Sequence, residues 1–250
     1  MRAELATFGL AVQFLTRLPV PVGDSYSPQR EAAAVRYYPL VGVLIGGLSA
    51  AVYWVAALVW PGVPSVLLAV VAGLLVTGGL HEDGLADTFD GIGRTHPREQ
   101  ALAIMKDSRL GAYGVLALIL VLALKLSALS QLDVETACVA LVAAHGLSRL
   151  SAVLVIATSR YVGNTPGPAA QTVSAPGLLV AGGTGLVVVA GLGGWLAIGA
   201  ALGAVAGLAI GHLFVLALVR PTLGGHTGDT LGAVQQVSEV GVYLGLVAWA

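Results

Sequence analysis

"VPSVLLAVVAGLLVTGGLHEDGLADTFDGIG", residues 63–93, joins an apolar run directly to four carboxylates: Glu82, Asp83, Asp87 and Asp90. The run 63–80 carries no charge. It is long enough to cross roughly 30 Å of hydrocarbon at about 1.5 Å per residue. Stretches 40–60, 111–130, 136–158 and 195–219 read the same way. Residues 177–194 are shorter and glycine-rich, and 231–250 fits with two polar interruptions. The expected fold is therefore all-α: a polytopic membrane helix bundle of about seven transmembrane helices, forming a single domain over residues 1–250.

Composition points the same way. Of 250 residues, 57% are hydrophobic and 10% charged, with mean hydropathy +0.89. A soluble domain carries about 25% charged residues, so this chain lacks the charge to cover a water-facing surface. A net charge of −1 offers nothing to a polyanion, which argues against a nucleic-acid partner. The single cysteine, Cys138, lies within an apolar helix and reads as packing. The apolar start of the chain is broken by Gln13 and Arg17, with no small-residue cleavage site after it. It is expected to be an amphipathic helix at the interface, ending at Pro19 and Pro21. The glycine- and alanine-rich stretch 182–211 reads as small residues that let membrane helices approach closely.

Orientation follows from the basic residues. With residues 1–37 in the cytoplasm, Arg2, Arg17, Arg30, Arg36, Arg94, Arg98, Lys106, Arg109, Arg160 and Arg220 all fall inside. Lys125 and Arg149 fall within helices, and none falls outside. The positive-inside rule then places the N-terminus, the acidic stretch and the active site on the cytoplasmic side.

On a helix that continues past residue 80, Asp83, Asp87 and Asp90 stand at i, i+4 and i+7 on one face. Carboxylates held so closely repel unless a cation neutralises them. Hard oxygen donors suit Mg²⁺ or Mn²⁺ rather than zinc. Glu82 points off that face by about 100°, and Gly84 and Gly91 are expected to leave room for a ligand. The plainer alternative is a solvated helix end. Against it stands the concentration of four of thirteen acids beside His81.

Two further clusters complete the set. "IMKDSRLGAYG", 104–114, offers Lys106 and Arg109 to phosphate, with Asp107 and Ser108 between them. "GGHTGDTLGA", 224–233, surrounds Thr227 and Asp229 with glycines that can turn backbone N–H groups toward an anion, while Asp229 joins the metal set. Within the membrane, His145, Arg149, Lys125 and Glu239 read either as a buried ion pair or as a cavity wall in which Arg149 meets substrate phosphate. A divalent-cation transporter is the competing class. It should string acids through mid-membrane, where only Glu239 is found, among basic groups. Phosphoryl transfer fits better. For the proton acceptor, Asp90 at the far end of the acidic face is expected, with His81 orienting a neighbouring acid. His81 is the alternative base.

These motifs together resemble the cobalamin synthase family, the adenosylcobinamide-GDP ribazoletransferases. "FLTRLPVPV" (14–22), "YYPLVGVLIG" (37–46), "KLSAL" (125–129) and "HGLSR" (145–149) extend the likeness over the whole chain in order. The resemblance implies an enzyme for the last step of nucleotide-loop assembly in vitamin B12 biosynthesis. The 5′-hydroxyl of α-ribazole, or α-ribazole 5′-phosphate as substrate, attacks the cobinamide-side phosphate of adenosylcobinamide-GDP, and GMP leaves. It also implies Mg²⁺ as cofactor and the cytoplasmic (inner) membrane of a prokaryote as location. Carried to this sequence, Glu82, Asp83, Asp87, Asp90 and Asp229 would hold metal, and Asp90, His81 and Lys106 would be catalytic. Lys106, Asp107, Ser108, Arg109, Arg149 and Thr227 would bind substrate. The expected partners are the two small molecules and membrane lipid, with no nucleic acid and homo-oligomer formation left open. A looser likeness to CDP-alcohol phosphotransferases, from which "DGLADTFD" departs at Asp87, reflects shared chemistry.

Overall fold

The apolar run from residue 63 forms a helix, α4 (Val63–Thr77), that stops at Gly78 and Gly79. Their φ values of 69° and 73° lie in the left-handed region, where a Cβ is penalised. The acidic segment is a separate helix, α5 (Leu80–Ile92), turned 89° from α4. The expected continuous helix is thus corrected: α4 is the membrane leg and α5 lies across its end. The i, i+4, i+7 face survives, because it falls wholly within α5.

The structure is a computed structural model that describes residues 2–22, 26–164 and 167–250. Besides α4 and α5 it contains α1 (Arg2–Leu15), α2 (Pro28–Ala34), α3 (Tyr38–Ala57), α6 (Arg98–Ile104) and α7 (Ala112–Ser130). There follow α8 (Val134–Thr158), α9 (Ala175–Trp195), α10 (Ile198–Leu223) and α11 (Gly228–Trp249). Among the described residues, six spans are long and apolar enough to cross a membrane, Pro28–Ala57 (α2 through α3) and α7–α11, and the bent α4–α5 pair makes seven when counted as one crossing. The protein is a multi-pass helix bundle.

Two helices form its centre: α8, against α3, α9 and α11, and α11, against α5, α7, α8 and α10. Small residues allow the closest approach. A Cβ on Gly207 would collide with the Gly241 carbonyl, and one on Gly241 with that of Gly207. In lipid such contact replaces the hydrophobic drive between helices. Lys125 and Glu239 pair inside the bundle. Lys125 Nζ lies 2.8 Å from Glu239 Oε1, Gln235 donates to the other carboxylate oxygen at 2.6 Å and Tyr243 donates to Oε1 at 3.2 Å. This is the buried ion pair of the first sequence reading, formed by Lys125 and not by Arg149.

The N-terminal helix α1 buries Leu10, Ala11, Val12 and Leu15 in the core and exposes Leu5 and Phe14. The Arg17 N–H then donates to the Val76 carbonyl at 2.7 Å, which fixes the segment after α1 against the end of α4. The side chain of Arg2 and residues 165–166 of the loop 162–177 lie outside the described residues.

Candidate active site

The start of α11 packs directly on α5, and Gly84 permits it. A Cβ at this position would stand 2.8 Å from the Asp229 carbonyl oxygen and 3.0 Å from its Cα. Asp229 is thereby brought among the acids of α5. Thr227 is the N-cap of α11: its hydroxyl accepts from the Thr230 N–H at 3.2 Å and donates to Asp229 Oδ2 at 3.4 Å. The cap satisfies an otherwise unpaired helix donor and aims the carboxylate.

A cavity of about 840 Å³ opens over this face. Glu82, Asp83 and Asp87 line one wall, and Lys106, Asp107, Ser108 and Arg109 another. A second cavity of about 320 Å³ adjoins it, shares Phe14, Met105 and Lys106, and contains Thr227 and Asp229. A third, about 150 Å³, holds His81, Asp83, Arg149 and Asp229. Acids and phosphate-seeking bases, far apart in sequence, therefore meet at one end of the bundle.

Individual residues depart from their expected places. Asp90 was expected to take metal and the proton, but its oxygens accept the Gly111 and Gly114 N–H groups at 2.7 and 2.8 Å. It caps α7 and lines neither of the two larger cavities. His81 is buried and borders a small polar pocket with Lys125, His145, Arg149 and Glu239. Its other side reaches the third cavity, beside Asp83. Glu82 accepts from Gln236 at 2.8 Å, and its second oxygen is buried without a hydrogen-bond partner. Arg149 donates to the His145 carbonyl at 3.0 Å, and its Nε is likewise buried and unpartnered.

The glycines also act differently from expectation. The space at Gly84 is filled by α11, and that at Gly91 by Met105 and Ala101. In the 224–228 segment, the N–H groups of Gly224, His226 and Thr227 donate to Arg220, Arg160 and Thr230. Those three are committed within the protein. Arg17, counted in the sequence toward orientation, and Phe14 line the large cavity. A Cβ on Gly78 would strike the Arg17 side chain, so the α4–α5 break also makes room for that guanidinium.

Electrostatics mark the acidic wall. Burial, then the charges of Asp83, Asp229 and Asp90, push the Asp87 carboxyl up to about 6. Across the cavity, hydrogen bonds from Arg109 hold exposed Asp107 down to about 2. Arg109 Nε donates to it at 2.9 Å, so Asp107 positions the guanidinium at the cavity rim. Among the described residues, no three His, Cys, Asp or Glu side chains stand close enough to hold a metal as they are. The donors fit a hard cation in kind: carboxylate oxygens whose burial and mutual repulsion raise one of their pKa values.

That repulsion sets a pH test. A carboxyl raised in the fold contributes stability below its unfolded value near 4 and loses it as pH rises through about 6. Metal-free protein should therefore lose thermal stability between pH 5 and pH 7. Mg²⁺ should raise Tm at pH 7 and do little at pH 5, where Asp87 is protonated. An equal Mg²⁺ effect at both pH values would place the cation elsewhere.

Comparison with known proteins shows the family. Residues 7–247 match the family described as cobalamin-5-phosphate synthase (CobS). A Leptothrix cholodnii protein named adenosylcobinamide-GDP ribazoletransferase is 46% identical over 98% of this chain and 96% of its own length. Relatives of the same name from Shewanella sp. W3-18-1 and Shewanella frigidimarina are 42% and 43% identical, over 98% of this chain and 94% and 95% of theirs. No solved structure gives a significant match. By a family match and relatives that both run nearly end to end, this chain belongs to the cobalamin-5-phosphate synthase family.

Proposed function

We propose that the protein transfers the adenosylcobinamide phosphate group from adenosylcobinamide-GDP to α-ribazole or its 5′-phosphate, releasing GMP. This is the last step of nucleotide-loop assembly in vitamin B12 biosynthesis. The observation that carries the reading is the cavity whose walls are Glu82, Asp83 and Asp87 on one side and Lys106 and Arg109 on the other. A ribose oxygen forms a bond to the cobinamide-side phosphorus, the bridging P–O bond to GMP breaks, and the hydroxyl proton leaves to a carboxylate or solvent. The family description names a 5-phosphate product. A 5′ oxygen already bearing phosphate cannot attack, so the expected 5′-hydroxyl gives way to another ribose hydroxyl.

Asp83, Asp87 and Asp229, with Glu82 behind them, are the residues that would hold Mg²⁺. Bound there, the cation would supply neutralisation of diphosphate charge. Lys106 lies where the two larger cavities meet and is placed to bind the transferring phosphate. Arg109 and Arg17 bind the outer phosphate as it departs. The carboxylates nearest the acceptor, Asp229 above all, orient its hydroxyl. The basic residues at this end argue for a cytoplasmic site in the inner membrane, with lipid around the remaining apolar faces.

Lys106→Ala tests this reading. Losing one charge-assisted contact costs about 1.5–3 kcal/mol, roughly one to two decades. The loss should appear in kcat/KM for adenosylcobinamide-GDP. Unchanged kinetics for the donor would leave Lys106 as a topology residue only.

A further inference from the structure

The second cavity is separated from the first by a wall that carries Lys106, Met105 and Phe14. The two differ in chemistry. The larger is lined by charged groups from α5 and from the 106–109 loop. The smaller is lined by Phe14, Leu102, Met105, Tyr161, Pro168 and Ala169, with polar groups from Lys106 on the shared wall, Asn164 in the loop after Tyr161, and Thr227 and Asp229 at the start of α11. At about 320 Å³ it stands at the low end of small-molecule sites. It suits one nucleoside with a flat, weakly polar base, but not a diphosphate.

Phosphoryl transfer requires the incoming and departing oxygens on opposite sides of phosphorus. Donor and acceptor must therefore approach from different directions and meet at the reacting phosphate. Two chambers that touch at Lys106 provide those directions. Asp229 lines the smaller chamber and not the larger, yet it shares the third cavity with Asp83, which lines the larger. Aromatic surfaces stand on both sides of the passage. Phe14, 41% exposed, stacks on Tyr38 with ring centroids 5.8 Å apart. Tyr161 sits edge-on to His226 at 5.7 Å, which fixes its ring beside the chamber.

We propose that this smaller chamber, between α6, Tyr161 and the start of α11, is the acceptor subsite. It takes the α-ribazole base against Tyr161 and Met105, with the ribose turned toward Asp229 and Lys106. The donor's diphosphate then occupies the larger chamber alone. This assignment rests on the transfer reaction proposed above. It names Tyr161, Leu102 and Ala169 as determinants of which nucleoside is accepted.

The test uses full-length protein in detergent and two variants. Ala169→Trp fills the chamber from a half-buried turn, and Tyr161→Leu removes the ring but keeps bulk beside His226. Each should raise the KM for α-ribazole tenfold or more and weaken α-ribazole binding by calorimetry to the same degree. The KM for adenosylcobinamide-GDP should stay within about threefold, which also shows that the variant is folded. Tyr161→Leu alone decides the matter if Ala169→Trp does not accumulate. A rise in the donor KM instead would assign the chamber to the donor, and no change in either constant would remove it from the site. Wild-type protein that neither binds α-ribazole nor releases GMP would defeat the transfer reaction itself. Active wild type with indifferent variants would defeat only the subsite.

Discussion

Asp87→Asn should lower turnover by about two to three orders of magnitude and blunt the Mg²⁺ dependence of what remains. The change removes one charge and nearly keeps the shape. It also relieves the cost of burying a charge beside other carboxylates, which raises the Asp87 pKa to about 6, so the metal-free variant should be at least as stable as wild type at pH 7. Activity and stability moving in opposite directions is the signature of a residue held for function against its electrostatic surroundings. Asp90→Asn should behave differently. Its carboxylate caps α7 through Gly111 and Gly114, and losing a cap costs typically about 1 kcal/mol of stability. It should lower Tm and leave the Mg²⁺ concentration giving half-maximal activity unchanged. Steady-state Mg²⁺ titrations of both variants, beside thermal melts, separate the two roles. Equal loss of Mg²⁺ affinity in Asp90→Asn would return that residue to the metal set.

Gly84→Val should be nearly as damaging, though it removes no functional group. Its Cβ would meet backbone atoms of Asp229 at 2.8 to 3.2 Å, and backbone cannot rotate away as a long side chain can. The helices must separate, and Asp229 moves away from Asp83 and Asp87. A misplacement of about 1 Å can cost on the order of 10²-fold in rate. Gly84→Ala should show a smaller loss of the same kind. Turnover and Mg²⁺ affinity measured in both variants check the account. Wild-type values in Gly84→Val would mean that Asp229 is not needed beside α5.

The bundle itself was legible because hydrocarbon imposes a simple rule: long uncharged runs become crossings. The break at Gly78–Gly79 was hidden because neither residue interrupts hydropathy, and only their positive φ turns α5 by 89°. The acids of α5 and the 106–109 loop were legible from local density of charge. Asp90 was not distinguished from its neighbours, since nothing in residues 78–93 tells that Gly111 and Gly114 will come to meet it. Gly84 was read as empty space, whereas its partner is a helix more than a hundred positions later. Phe14, Arg17 and Tyr161 lay in segments whose own sequence has ordinary explanations. Their place in the site is a property of packing between distant helices.

The most direct measurement is a reaction of purified protein in detergent with adenosylcobinamide-GDP, α-ribazole or its 5′-phosphate, and Mg²⁺, scoring GMP and corrinoid product together. The account predicts one GMP for each new cobalamin or cobalamin phosphate, with both products absent when either the acceptor or the divalent cation is omitted. GMP released at the same rate without acceptor would make the protein a hydrolase, and full turnover in excess chelator would contradict the role given to the carboxylates of α5 and Asp229.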